Sequence, residues 1–134
     1  MQSASIQDGK KAKEYFESKV AFTTGPVELS RMIKAGNVNV VDVREAEDYE
    51  KGHVPGAVNL PQTGWESCQG LTRDRINVVY CYTQQCHLAA NACAAFAPKW
   101  YPVMELEGGF EVWKNREMDI ETGSGKAEPM RKAA

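Results

Sequence analysis

A chain of 134 residues holds enough material for one sizeable hydrophobic core and rarely for two, so a single domain with one site is the default. Its 43% apolar and 25% charged residues and formal charge of -2 describe a soluble globular protein, without the basic excess that nucleic-acid or anionic-membrane binding favours. No run approaches the roughly 18 consecutive apolar residues that span a bilayer, and Met1-Gln2-Ser3-Ala4 lacks the basic-then-apolar pattern of an export signal, so a cytoplasmic location is expected.

Gln7 to Lys19 mixes Lys and Glu with Tyr15, Phe16 and Val20, which predicts a surface helix with one apolar edge. Thr24-Gly25-Pro26 is a turn signal. Pro26 suits a first helical position, Val27, Leu29, Met32 and Ile33 supply an amphipathic face, and Gly36 can end the helix. Asn39 to Val43 is a β-branched run of the kind found in strands covered on both faces, with Asp42 near its C-terminal end. A charged segment from Glu45 to Lys51 follows, then turns at Gly52-His53-Val54-Pro55-Gly56, and Trp65 to Arg75 reads as a variable connection.

Asn77 to Tyr80 is a second buried-strand candidate that runs directly into Cys81. His87 to Ala97 predicts an alanine-rich helix close to the sheet, with Leu88, Ala92, Ala95 and Phe96 on one face. Val103 to Leu106 is a third strand candidate, Gly108-Gly109 a turn, and Phe110 to Asn115 the start of a last helix. The polar stretch beyond Thr122 predicts a disordered tail. Strands alternating with helices imply an α/β fold with a mainly parallel central sheet flanked by helices on both faces, in which ligands collect at the C-terminal strand ends. Asp42 and Cys81 both lie at such ends.

Four cysteines, Cys68, Cys81, Cys86 and Cys93, require no disulfide framework in a chain of this size. Cys81 stands out because a thiol between a strand and a helix faces unsatisfied N–H groups and the positive end of the helix dipole, which favour the thiolate. A small buried core cysteine is the competing reading. Cys93 reads as core and Cys68 as an exposed thiol without a role. His53 reads as part of the turn, Phe110 and Trp113 as core anchors. Zinc on Cys81, Cys86, His87 and Cys93 is disfavoured by spacing unlike the usual paired cysteine elements, so no metal and no cofactor is expected.

Three segments together resemble the rhodanese family. Val41-Asp42-Val43-Arg44-Glu45, continued by Tyr49-Glu50-Lys51-Gly52-His53-Val54-Pro55-Gly56-Ala57-Val58-Asn59-Leu60-Pro61, resembles its first signature. Val78-Val79-Tyr80-Cys81-Tyr82 resembles its active-site strand and cysteine, and Leu106-Glu107-Gly108-Gly109-Phe110-Glu111-Val112-Trp113 its closing motif. The resemblance covers about Gly25 to Arg116 in family order. It divides the chain into a helical extension over 1–24 packed on the domain, the domain itself over 25–122, and the tail over 123–134.

The resemblance implies a sulfurtransferase cycle. Cys81 would take sulfur from a small donor or a persulfidated protein and pass it to a thiol acceptor. Tyr82, Thr83, Gln84, Gln85 and Cys86 would cradle the persulfide anion with backbone N–H groups, His87 would open the helix, and Asp42 and Arg44 would brace the backbone. Neither nucleic acid nor membrane is an expected partner. The six-residue loop resembles the sulfurtransferases, whereas the related phosphatases use a longer, arginine-closed loop, and no Arg or Lys lies between Cys81 and Pro98. The loop departs from common rhodanese loops in lacking glycine and any cation and in carrying a second thiol. Cys86 could attack a persulfide or sulfenic acid on Cys81, or it could simply cap the helix. Two other functions stay open: a binding module that keeps the fold without catalysis, and a redox sensor built on Cys81 and Cys86.

Overall fold

The β-branched runs build the middle of the sheet. In a computed structural model that describes residues 8–124, β2 (Val38–Asp42) pairs in parallel with β4 (Ile76–Tyr80), setting Val40 opposite Val78 and Asp42 opposite Tyr80. β5 (Val103–Leu106) lies on the other side of β4. Two-residue strands close the edges, β1 (Thr23–Thr24) against β5 and β3 (Val58–Asn59) against β2, giving the order β1-β5-β4-β2-β3 with every pairing parallel. Parallel neighbours require crossovers, and these carry the helices.

Alternation along the strands sends successive side chains to opposite faces. On one face Val40, Val78 and Tyr80 pack with Leu29 of α2 (Pro26–Ala35), Tyr49 of α3 (Ala46–Lys51), and Phe110 and Trp113 of α5 (Gly109–Asn115). On the other, Val41, Val79 and Cys81 meet Ala89, Ala92 and Phe96 of α4 (Leu88–Phe96). Helices therefore cover both faces, as the alternation of elements predicts. Gly36 ends α2 in the left-handed region at φ 75°, with its N–H on the Met32 and Ile33 carbonyls.

The structure differs from the sequence reading in several places. The charged segment after Arg44 is the short helix α3, anchored by buried Tyr49. A 3₁₀ helix at Gln62–Ser67 sets Trp65 edge-on to Phe96 at 5.9 Å. Cys68 follows it and is buried, not exposed as expected, because that turn folds it under Trp65, whose carbonyl accepts from its thiol at 3.5 Å.

The expected N-terminal helix forms as α1 (Gly9–Phe22), yet the expected packing of its apolar edge does not: none of its residues is buried, and Tyr15, Phe16 and Val20 are 62%, 58% and 77% exposed. Only its C-terminal end is tied down, through the Lys19–Glu107 ion pair and the Thr23 hydroxyl on the Lys19 carbonyl. At the other end the chain stays attached past Thr122, with the Gly123 N–H on the Glu50 carbonyl at 2.8 Å. The rest of the expected tail, 125–134, lies outside the described residues. Among the described residues no helix is long and apolar enough to cross a membrane.

Candidate active site

Strand β4 carries the chain through a fully buried run, Val78-Val79-Tyr80, and releases it at Cys81, itself 2% exposed. The loop then turns at Gln84-Gln85, which are exposed, and closes with the Cys86 N–H on the Thr83 carbonyl at 3.2 Å. The Cys81 thiol points back across the loop toward the Cys86 carbonyl, 3.6 Å away.

The helix after the glycine pair supports the loop from below. The Phe110 N–H donates to the Cys81 carbonyl at 2.9 Å, and the Glu111 N–H to the Tyr82 carbonyl at 3.0 Å. This requires Gly109 at φ +62°, since a β-carbon there would lie 2.8 Å from the Cys81 oxygen and 3.0 Å from the Thr83 nitrogen. Sequence reading sees only a turn at Gly108-Gly109. The close approach belongs to the tertiary fold, and the consecutive glycines were the only trace of it.

Asp42 and Arg44 form a buried ion pair under the same loop. The carboxylate accepts from the Arg44 backbone N–H (2.8 Å), from Nε (3.1 Å) and Nη2 (2.8 Å), and from the Tyr80 hydroxyl (2.7 Å). Nη2 also donates to the Gly52 carbonyl at 2.6 Å, and the guanidinium lies 4.3 Å from the Phe110 ring centre. Tyr82 lies over Arg44 at 5.8 Å, and its hydroxyl donates to Asp48 at 2.6 Å and accepts from the Glu45 N–H. The pair thus fixes Tyr80 before Cys81 and Tyr82 after it. The Asn59 side-chain amide completes the frame, donating to the Asp42 and Arg44 carbonyls.

His53 lies in the neighbouring turn, wholly buried, stacked 3.6 Å from the Tyr49 ring with Nδ1 2.6 Å from the Tyr49 carbonyl. That is a packing role. Cys93 is half-buried beside the cluster that contains Cys81, with its thiol 4.0 Å from the Met104 carbonyl.

The two loop thiols are shifted in opposite directions. Burial pushes the Cys81 thiol up to about 12, and its hydrogen bond with Cys86 adds to this, against the N–H groups of Ala89 and Tyr82. Burial raises the Cys86 thiol too, and the Cys81 thiol together with the N–H groups of Leu88, Tyr82 and Thr83 outweighs it and lowers Cys86 below its ordinary value. The expected stabilisation of a Cys81 thiolate is therefore not what the reduced loop provides. Both sulfurs lie near the start of α4, and the less buried one is the one whose thiolate is favoured.

Of the expected cradle, the N–H groups of Tyr82 and Thr83 face the sulfurs, joined by those of Leu88 and Ala89, which sequence reading missed. Gln84 and Gln85 form the exposed tip, and His87 sits exposed at the start of α4 without capping it through its side chain. Beside the tip runs a cleft of about 460 Å³ lined by Gly25, Pro26, Gln84, Glu107, Glu111 and Asn115.

The chain matches the family model described as the rhodanese-like domain over residues 25–116. It is 35% identical over 98 residues to the HTH-type transcriptional regulator Rv0324 of Mycobacterium tuberculosis, covering 72% of this chain but 43% of that protein, so it spans less than half of that relative. It is 32% identical over 88 residues to the thiosulfate sulfurtransferase GlpE of Shewanella oneidensis, covering 64% of this chain and 85% of GlpE. Among solved structures it is similar to the BH2092 protein of Bacillus halodurans, with a TM-score of 0.77 and 30% identity over 91% of this chain and 92% of that one. With the parallel sheet, the strand-end cysteine and its loop in place, the chain belongs to the rhodanese-like domain family.

Proposed function

We propose that this domain is a sulfurtransferase or sulfane-sulfur carrier in which Cys81 holds the sulfur as a persulfide. The observation that carries the reading is the position of Cys81 at the end of β4, beneath a short loop whose N–H groups face its sulfur. The Cys81 sulfur attacks the outer sulfur of a donor R–S–SH and gives up its proton to the departing thiolate. The new sulfur–sulfur bond forms as R–S⁻ departs, and the outer sulfur then passes to an acceptor thiol in a second displacement. The Ala89 and Tyr82 N–H groups at the Cys81 sulfur are the donors at hand for a persulfide anion.

Charge around the loop favours persulfides over thiosulfate as donors. Arg44 is committed to Asp42 and Gly52, the tip residues Thr83, Gln84 and Gln85 are neutral, and the adjoining cleft carries Glu107, matched by Lys19, and exposed Glu111. A dianion finds no bidentate partner here. Four free thiols fit a reducing cytoplasmic setting.

Steady-state sulfur transfer to a dithiol acceptor tests the proposal. Cys81→Ser is expected to fall to the uncatalysed background with every donor, and wild type to use a low-molecular-weight persulfide with higher kcat/KM than thiosulfate. Undiminished transfer by Cys81→Ser sinks the reading and leaves a binding module.

A further inference from the structure

The loop holds a second sulfur that simple transfer does not use. Cys86 closes the six-residue loop opened by Cys81, packs against the same apolar cluster, and is the more exposed of the two, while the Cys81 thiol hydrogen-bonds to the Cys86 carbonyl at 3.6 Å. Each thiol also acts directly on the other. A persulfide on Cys81 is thereby formed beside a nucleophile of the same loop.

We propose that Cys86 is a resolving thiol, which makes the domain a reductase of sulfane sulfur that releases hydrosulfide. This rests on the carrier reading, because it needs the persulfide on Cys81. The Cys86 thiolate attacks the inner sulfur of Cys81–S–SH. A Cys81–Cys86 bond forms, the bond to the outer sulfur breaks, and the outer sulfur leaves as HS⁻. The sulfane sulfur gains two electrons and the two cysteines lose them, so the step needs no outside oxidant. A dithiol reductant then reopens the disulfide and resets the loop. Cys86 is the more exposed of the two thiols, and the N–H groups of Leu88, Tyr82 and Thr83 favour its thiolate by lowering it from its ordinary value.

The experiment is an anaerobic single turnover. Reduced wild type, Cys86→Ser, Cys86→Ala and Cys81→Ser receive one equivalent of a low-molecular-weight persulfide, and intact mass, peptide mapping and trapped hydrosulfide are followed, with donor-free protein as control. Wild type is expected to gain one sulfur transiently, then settle two hydrogens lighter than the reduced chain with Cys81 and Cys86 joined, releasing one hydrosulfide per domain. Both Cys86 variants are expected to keep the added sulfur on Cys81 and to release hydrosulfide about tenfold or more slowly until a free thiol is added.

Equal adduct lifetimes in wild type and the Cys86 variants, with no Cys81–Cys86 disulfide, overturn the resolving role while the carrier stands. No adduct in the Cys86 variants and no disulfide in wild type overturn the carrier reading itself. An adduct that persists on Cys86 in Cys81→Ser reverses the two roles and overturns the proposal.

Discussion

The absent β-carbon of Gly109 leaves room for the carbonyl of Cys81: any side chain there would bring a carbon to 2.8 Å from that oxygen, in a backbone conformation, φ +62°, that other residues resist. Loop placement and the start of α5 are thus one structural decision. Gly109→Ala is expected to lose ~1–3 kcal/mol through the left-handed backbone, and the repulsion against Cys81 adds to that. Because displacement of a reacting atom by about 1 Å can cost on the order of a hundredfold in rate, sulfur transfer is expected to fall more steeply than stability. Urea midpoints set beside transfer rates check this, and an unchanged rate contradicts it.

The Asp42–Arg44 pair governs folding more than chemistry. Asp42→Asn leaves a buried guanidinium facing a neutral amide and is expected to cost ~3–5 kcal/mol, a large share of the ~5–15 kcal/mol a domain possesses. Tyr80→Phe removes a hydroxyl that donates to Asp42 and accepts from the Val54 N–H at 3.0 Å, and is expected to cost ~1–3 kcal/mol. Denaturant unfolding measures both. A smaller loss for Asp42→Asn than for Tyr80→Phe contradicts the account.

Thiol reactivity is expected to run opposite to the order suggested by sequence position. Under mild alkylation near neutral pH Cys86 reacts first, because it is more exposed and its thiol is lowered, while Cys81 and Cys93, both pushed up to about 12 chiefly by burial, react last. Cys86→Ala removes the neighbour that raises Cys81 and is expected to speed Cys81 alkylation. Peptide mapping over time decides this, and Cys81 reacting first in wild type contradicts it.

Alkaline stability follows from the same burial. Cys93 rises from 9.0 to about 12 in the fold and Tyr49 from 10.0 to about 12, both through desolvation first. Above pH 9 the unfolded chain therefore binds fewer protons than the folded one, and stability falls as pH rises. It is fully present below the unfolded values, and each such group removes about 1.4 kcal/mol per pH unit until its folded value is reached. Urea midpoints measured under reducing conditions from about pH 8 to about pH 11 are expected to be level and then to decline. A rise above about pH 9 contradicts the burial of these groups.

Local sequence carried the centre of the sheet and the place of Cys81, because β-branched runs ending in a polar or nucleophilic residue have few other uses. Asp42, Arg44 and Cys81 were legible for that reason. The charged helix α3, the 3₁₀ turn that buries Cys68, and the two-residue edge strands depend on partners distant in the chain and leave no periodic signal. The contact of Gly109 with Cys81 and the opposite shifts of the Cys81 and Cys86 thiols are set by ångström-scale packing. The exposed edge of α1 is the reverse case: helical spacing predicts a packed edge, but the helix is held to the sheet near its C-terminal end, through Lys19 and Glu107, and Tyr15, Phe16 and Val20 stay exposed.

Locating the transferred sulfur tests the central claim most directly. Protein incubated anaerobically with a persulfide donor, then alkylated and digested, is expected to carry one added sulfur on the Cys81 peptide in Cys86→Ser and none in Cys81→Ser. Absence of added sulfur from Cys81 with every donor contradicts the account, and the loop would then serve a partner or a redox signal instead.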